Sequence, residues 1–265
     1  YPEVWQQVLA AVRGGDMEQA RRLQRQVQKL SRIFCRYGGG VAVKQALNMM
    51  GVEVGRPRRP LKSVGGALIH EDRAEIQLEL EKLGKIPTPD VANSVPTGEL
   101  AGRFKALGLE PQAVKGAGLR LGSGQAGDPD SAEQVQIDLV AGPKTGPLGE
   151  LYAYQLTYPR HGYEALTTIL EPNLTVRPST LIVSTNELKN LRQANMIYGP
   201  TQSAVAGAIV DKLAAGVIPE ASMNDEVMVV QAAVHPKALD RHALYLSVYR
   251  ATARAIDQAF GKEAN

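Results

Sequence analysis

The sequence predicts an α+β protein in two parts: an all-helical segment over residues 1–84 and a mixed domain over 119–265, joined by a connector over 85–118. Three observations carry this. Apolar residues recur at helical spacing through the first part. Pro87, Pro89, Pro96 and Pro111 interrupt the middle, where only Glu99–Leu107 is periodic. Strand-like and helical runs then alternate to the end of the chain.

Val4, Trp5, Val8, Leu9 and Val12 fall on one side of a first helix, which Gly14-Gly15 stops. Asp16 with Gln19 forms a capping box for a second helix, in which Ala20, Leu23, Val27, Leu30 and Ile33 make an apolar stripe. Gly38-Gly39-Gly40 ends it. A third helix covers Val41 to Met50, and a fourth, dense in charge, runs from Ala67 to Leu83. In the mixed domain the pattern gives strands over 134–141, 179–184 and 226–234, and helices over 147–157, 186–197, 200–215 and 238–260. Gly122-Ser123-Gly124-Gln125-Ala126-Gly127 satisfies the dinucleotide-loop spacing. Because Asp128-Pro129-Asp130 follows and no helix opens, it reads as a flexible loop.

The 265 residues are 44% hydrophobic and 22% charged, a globular composition with no apolar run near the ~20 residues that span a membrane. The chain opens at Tyr1-Pro2-Glu3 with no signal peptide in view, so a start further upstream is expected. One cysteine, Cys35, rules out an internal disulfide framework and suits the cytoplasm. It falls on an apolar helix stripe and reads as core or interface. The first 118 residues hold 18 Lys/Arg against 12 Asp/Glu, the rest 12 against 15. The basic surplus is scattered, and Arg56-Pro57-Arg58-Arg59-Pro60-Leu61-Lys62 reads as a solvated or docking loop, so no nucleic-acid partner is expected. His235 and His242, seven apart with no cysteine nearby, make no usual zinc pattern, and no metal is expected.

The informative stretch is Gln136-Ile137-Asp138-Leu139-Val140-Ala141-Gly142. Strand alternation puts Gln136 and Asp138 on one face and Val135, Ile137 and Leu139 on the other. A carboxylate on a strand suited to burial is costly unless paired, so Asp138 is either a salt-bridged structural group or a site residue.

Two resemblances follow from ordered landmarks. Gly14-Gly15-Asp16-Met17-Glu18-Gln19-Ala20, Val43-Lys44-Gln45-Ala46-Leu47 with Gly51, and Arg59-Pro60-Leu61 are similar to the C-terminal tail of the dihydrodipicolinate synthase / N-acetylneuraminate lyase family. That family's Schiff-base lysine and its tyrosine lie on barrel strands outside this stretch, so the resemblance gives Lys44 no catalytic part. Over about 119–260, Ile137–Pro143, Pro172-Asn173-Leu174, Pro178-Ser179-Thr180-Leu181, Arg192-Gln193-Ala194, Gly199-Pro200-Thr201-Gln202, Ala204-Val205-Ala206 and Tyr249-Arg250-Ala251-Thr252 resemble the formaldehyde-activating enzyme family.

The second resemblance implies a fold like the second domain of ribosomal protein S5. It also implies a homopentamer with the ligand between subunits, and condensation of formaldehyde with tetrahydromethanopterin, or a related pterin, as substrates. Asp138 and Gln202 then match pterin-contacting positions, with Gln202 at a helix start whose free N–H groups face the ligand. The departures are specific. Gln136 stands where the family keeps its general-acid histidine, Thr185 where it keeps a pterin-contacting lysine, Glu187 where it keeps a small hydroxyl residue, and Thr167 where a leucine lines the pocket. An amide donates a hydrogen bond but does not transfer a proton at neutral pH. His161, in Arg160-His161-Gly162-Tyr163, is the substitute the resemblance offers, against a plain surface-loop histidine. Glu187 is either a burial-raised acid or a first-turn carboxylate. The resemblance therefore leaves two functions open: an altered lyase, or a pterin- or formaldehyde-binding homologue without proton transfer. A scaffold that only oligomerises is the third reading.

Overall fold

A computed structural model describes residues 2–36, 39–55, 57, 70–89, 97–109 and 117–261. The basic loop at 56–62 (save Pro57), Gly38, Pro96, Pro111 and the first turn of the expected fourth helix lie outside them. Two compact units divide the chain, Tyr1–Pro89 and Asp90–Asn265.

The first unit is helical: α1 Pro2–Arg13, α2 Met17–Arg36, α3 Gly40–Met49 and α4 His70–Lys82. The α2 stripe Ala20, Leu23, Val27, Leu30 and Ile33 is buried. Leu30 and Ile33 pack with Ala42 and Ala46 of α3 and with Ile76 and Leu80 of α4. Asp16 accepts the Gln19 N–H at 2.9 Å, which is half of a capping box. The Gln19 side chain bonds Arg22 instead of returning to the cap. The first helix forms as expected, and the core reading of Cys35 fails. No residue of α1 is buried, and Trp5, Leu9 and Val12 are exposed. Cys35 is exposed too, since it follows Ile33 and Phe34 around the helix and leaves the stripe.

The second unit combines helices with a mixed sheet. Its elements are α5 Thr97–Arg103 with a 3-10 turn Phe104–Leu107, β1 Arg120–Ala126, β2 Val135–Pro143, α6 Pro147–Thr157, β3 Leu166–Thr167, β4 Ile169–Glu171, β5 Leu174–Thr175, β6 Ser179–Ser184, α7 Leu191–Met196, a π turn Ile197–Thr201, α8 Gln202–Ala214, α9 Ser222–Asp225, β7 Glu226–Val234 and α10 Arg241–Phe260. The main sheet has the order β1-β2-β7-β6-β3, while β4 and β5 pair separately. Among the described strands of this sheet, β6 and β7 run parallel and the other pairs are antiparallel.

The G-x-G stretch is a strand, not a loop. β1 lies on α10, and a Cβ on Gly122 or Gly124 would fall inside van der Waals contact of the Ala255 or Ala251 carbonyl. These glycines serve close approach of helix to sheet. On the opposite face Leu121, Val140, Val227, Val229 and Val183 pack with Leu148 and Leu151 of α6 and with Leu100, Phe104 and Leu109. Residues 97–109, expected as part of a connector, thus contribute to this core.

Helix starts differ where side chains cap. Asp240 accepts from the His242 and Ala243 N–H groups, so α10 begins at Arg241 and not at 238. Asn190 accepts from Gln193 N–H, so α7 begins at Leu191 and not at 186. From there the backbone stays helical through the π turn into α8. Gln202 therefore sits inside a continuing helix, where the free N–H groups of a helix start are absent.

Candidate active site

The sheet face that carries Gln136 and Asp138 changes character along its length. Pairing sets Ser123 opposite Asp138, Asp138 opposite Gln231 and Gln231 opposite Val183, one row across four strands. The adjacent row holds Gln125, Gln136 and Ala233. Apolar rows on either side of Val140 and Val229 are sealed by α5 and α6, whereas the polar rows floor an open cavity of about 760 Å³. This volume lies in the range of small-molecule sites. Tyr154 and Tyr158 form part of the wall, their ring centroids 5.1 Å apart.

Asp138 is 6% exposed and fully engaged. One oxygen accepts from the Ser123 hydroxyl at 2.6 Å and from the Gln136 amide at 3.0 Å. The other accepts from the Arg103 guanidinium at 3.0 Å. Three donors, one of them cationic, offset the cost of burying this carboxylate. The Gln136 amide is fixed in orientation by the same bond, which leaves its oxygen for a ligand. Arg103 and Lys105 come from residues 97–109, and Arg160 stacks on Tyr163 at 4.7 Å. These three cations line the cavity with Asp138 as the one carboxylate among its described lining residues.

Gln136, Asp138 and Thr185 share this cavity. The Thr185 N–H donates to the Ala232 carbonyl, which holds it at the end of β6 beside β7. The remaining expected residues do not line it. The His161 side chain is fully exposed, 3.8 Å from the Glu164 carboxylate, although its neighbours Arg160 and Tyr163 are lining residues. Glu187 lies in a separate hollow with Leu188, Gln193 and His235, and is 3.8 Å from Lys189. Gln202 is buried and donates to the Ile169 carbonyl of β4. Thr167 pairs across to Leu181, and its side chain bonds Tyr152. Burial pushes the Tyr152 phenol above its usual value, the Thr167 bond working against that shift. Burial, reinforced by the Glu164 charge, likewise raises Tyr198 in the π turn.

Most lining residues escaped the sequence reading, Arg103 and Gln231 among them. Arg103 precedes every landmark of the domain, so nothing in the sequence paired it with Asp138. Gln231 had a signal: it is a polar residue in the middle of the apolar run Val227–Val234. Among the described residues, no group of three His, Cys, Asp or Glu could hold a metal ion. No described helix is long and apolar enough to cross a membrane.

The formaldehyde-activating enzyme family model matches residues 122–265, more than half of the chain. The chain belongs to the formaldehyde-activating enzyme family. The dihydrodipicolinate synthetase family model matches residues 1–79. The chain is 41% identical over 128 residues to the bifunctional enzyme Fae/Hps of Methanosarcina mazei, covering 48% of this chain and 33% of that protein. It is 42% identical over 127 residues to the bifunctional enzyme Fae/Hps of Methanothrix thermoacetophila, covering 48% and 32%. With the 5,6,7,8-tetrahydromethanopterin hydro-lyase of Methanosarcina barkeri it shares 39% identity over 127 residues, covering 48% of this chain and 71% of that one. The matched stretch thus spans about a third of the length of the bifunctional relatives. Each of these three relatives matches about half of this chain.

Proposed function

We propose that the second unit is a lyase of the formaldehyde-activating type, condensing formaldehyde with tetrahydromethanopterin, or a related pterin, to the methylene adduct. The observation that carries the reading is the polar floor of Gln136 and Asp138, with Thr185 at its edge, in one cavity of a family member. The relative named 5,6,7,8-tetrahydromethanopterin hydro-lyase supports the choice of pterin. In the reaction one pterin amine adds to the formaldehyde carbon, giving a carbinolamine. Protonation of its hydroxyl releases water and leaves an iminium. The second amine adds to that carbon and loses a proton, so one water is lost overall. The protein's part is to hold amine and aldehyde together and to deliver the proton to the leaving oxygen. Asp138, fixed by Ser123 and Arg103, orients Gln136 toward the reacting groups.

The domain takes the fold of the second domain of ribosomal protein S5 and works as a homo-oligomer, a pentamer as in the family, in the cytoplasm. Placement outside the cavity of Thr167 and Gln202, beside the exposed Ile169, Leu170 and Leu174, supports completion of the pterin pocket across a subunit boundary. A second reading has its own support. Gln136 does not transfer protons at neutral pH, and His161 points away into solvent, which favours a pterin- or formaldehyde-binding homologue without turnover. Stopped-flow comparison with the uncatalysed condensation decides between them. Acceleration is expected for the lyase; none at any pH, with pterin still bound in a titration, leaves the binding protein.

A further inference from the structure

The cavity floor holds one polar group that the described chain leaves unserved. Gln231 projects from the centre of β7, in register with Asp138, and is 6% exposed. It lines the cavity, yet its carboxamide makes no hydrogen bond among the described residues. Asp138 does not serve it, because that carboxylate is taken by Ser123, Gln136 and Arg103. On its other side stands Val183, which has nothing to offer. Its amide is not among the groups sealed away without a partner but faces the open cavity, where water serves it until a ligand takes that place.

We propose that Gln231 is a ligand-contacting residue that reads the edge of a planar heterocyclic lactam, where a ring N–H and a ring carbonyl lie side by side. A carboxamide presents one N–H and one C=O in a single plane, the complement of such an edge. The surroundings fit a flat ring: Tyr154, Tyr158, Leu107, Val183 and Ala233 supply apolar and aromatic walls. With its N–H donated to Asp138 at 3.0 Å, the Gln136 side chain offers its oxygen as a second acceptor one row away. The inference rests on reading this cavity as the ligand site of the proposed function, since a pterin carries such an edge.

The test uses Gln231→Met, which keeps length and removes the amide, with Gln231→Leu as a second variant. The full chain is examined for urea unfolding and for calorimetric binding of two probes, 6-methyltetrahydropterin and guanine. The expected result is an unfolding midpoint no lower than that of the native chain, with affinity for 6-methyltetrahydropterin reduced about tenfold. Equal affinity in both variants overturns the inference while the pterin reading stands. Binding of guanine but not of the pterin, lost in Gln231→Met, supports the inference and defeats the pterin reading. Binding of neither probe by the native chain overturns it. A lowered midpoint in both variants also overturns it, because the amide would then have a structural partner.

Discussion

At the scale of single residues, the chemistry turns on which groups near Asp138 can move a proton. Gln136 is tied to Asp138 through its N–H, so it orients but does not titrate. A histidine at this position would have the same carboxylate within reach and an ordinary titration range near neutrality. Gln136→His is therefore expected to raise the condensation rate by about 10²-fold over the native chain, the lower end of general-acid contributions. Stopped-flow rates across pH check this. A flat result with retained pterin binding would trace the altered chemistry to Thr185, the other departure that lines the cavity. The facing of Gln136 and Asp138 was legible because strand alternation is rigid. The Arg103 contact was not, because it joins positions 35 apart through a helix whose own pattern says nothing about its target.

At the scale of elements, β1 shows why local pattern misleads. Two glycines in three residues argue against a strand on propensity, yet α10 lies so close that only glycine fits. Gly124→Ala is expected to lower stability by about 1–3 kcal/mol or more, because the clash is with backbone and not with a yielding side chain. Urea unfolding measures it, with Gly127→Ala, at φ 108°, as a second position where strain adds to the clash. The strands at 179–184 and 226–234 and the helix at 147–157 were readable to the residue, since each joins strong periodicity to a clear breaker. The short strands β3, β4 and β5 were not, since two or three residues carry no period. Helix starts were misplaced wherever an Asp or Asn side chain set the boundary.

At the scale of the whole molecule, stability depends on ties between parts of the chain far apart in sequence. Glu133, just before β2, accepts the Leu239 and Asp240 N–H groups at 2.9 and 3.0 Å and bonds Ser131. Desolvation opposes its charge, but these bonds prevail and hold its carboxyl below the ordinary 4.5. A carboxylate with a depressed folded value contributes stability that is complete above its unfolded value and is lost as pH falls through the folded one. The thermal midpoint is thus expected to drop as pH falls from about 5 towards 3, and to drop less in Glu133→Gln. Midpoints of the two proteins over that range provide the check. Neither the bonds nor the sign was legible beforehand, because Glu133 sits in an unremarkable loop until α10 arrives beside it.

That late arrival matters for how the chain is made. β1 is the first strand of the second unit, and the helix it needs for a packing partner is the last. During translation the glycine strand leaves the ribosome long before α10 exists, with no side chains at Gly122 and Gly124 to hold it in place. The sheet can pair its middle strands early, but the β1–α10 layer closes only after synthesis has passed Phe260. Until then the nascent domain carries an open face, and the interval before closure is when a chaperone would find it.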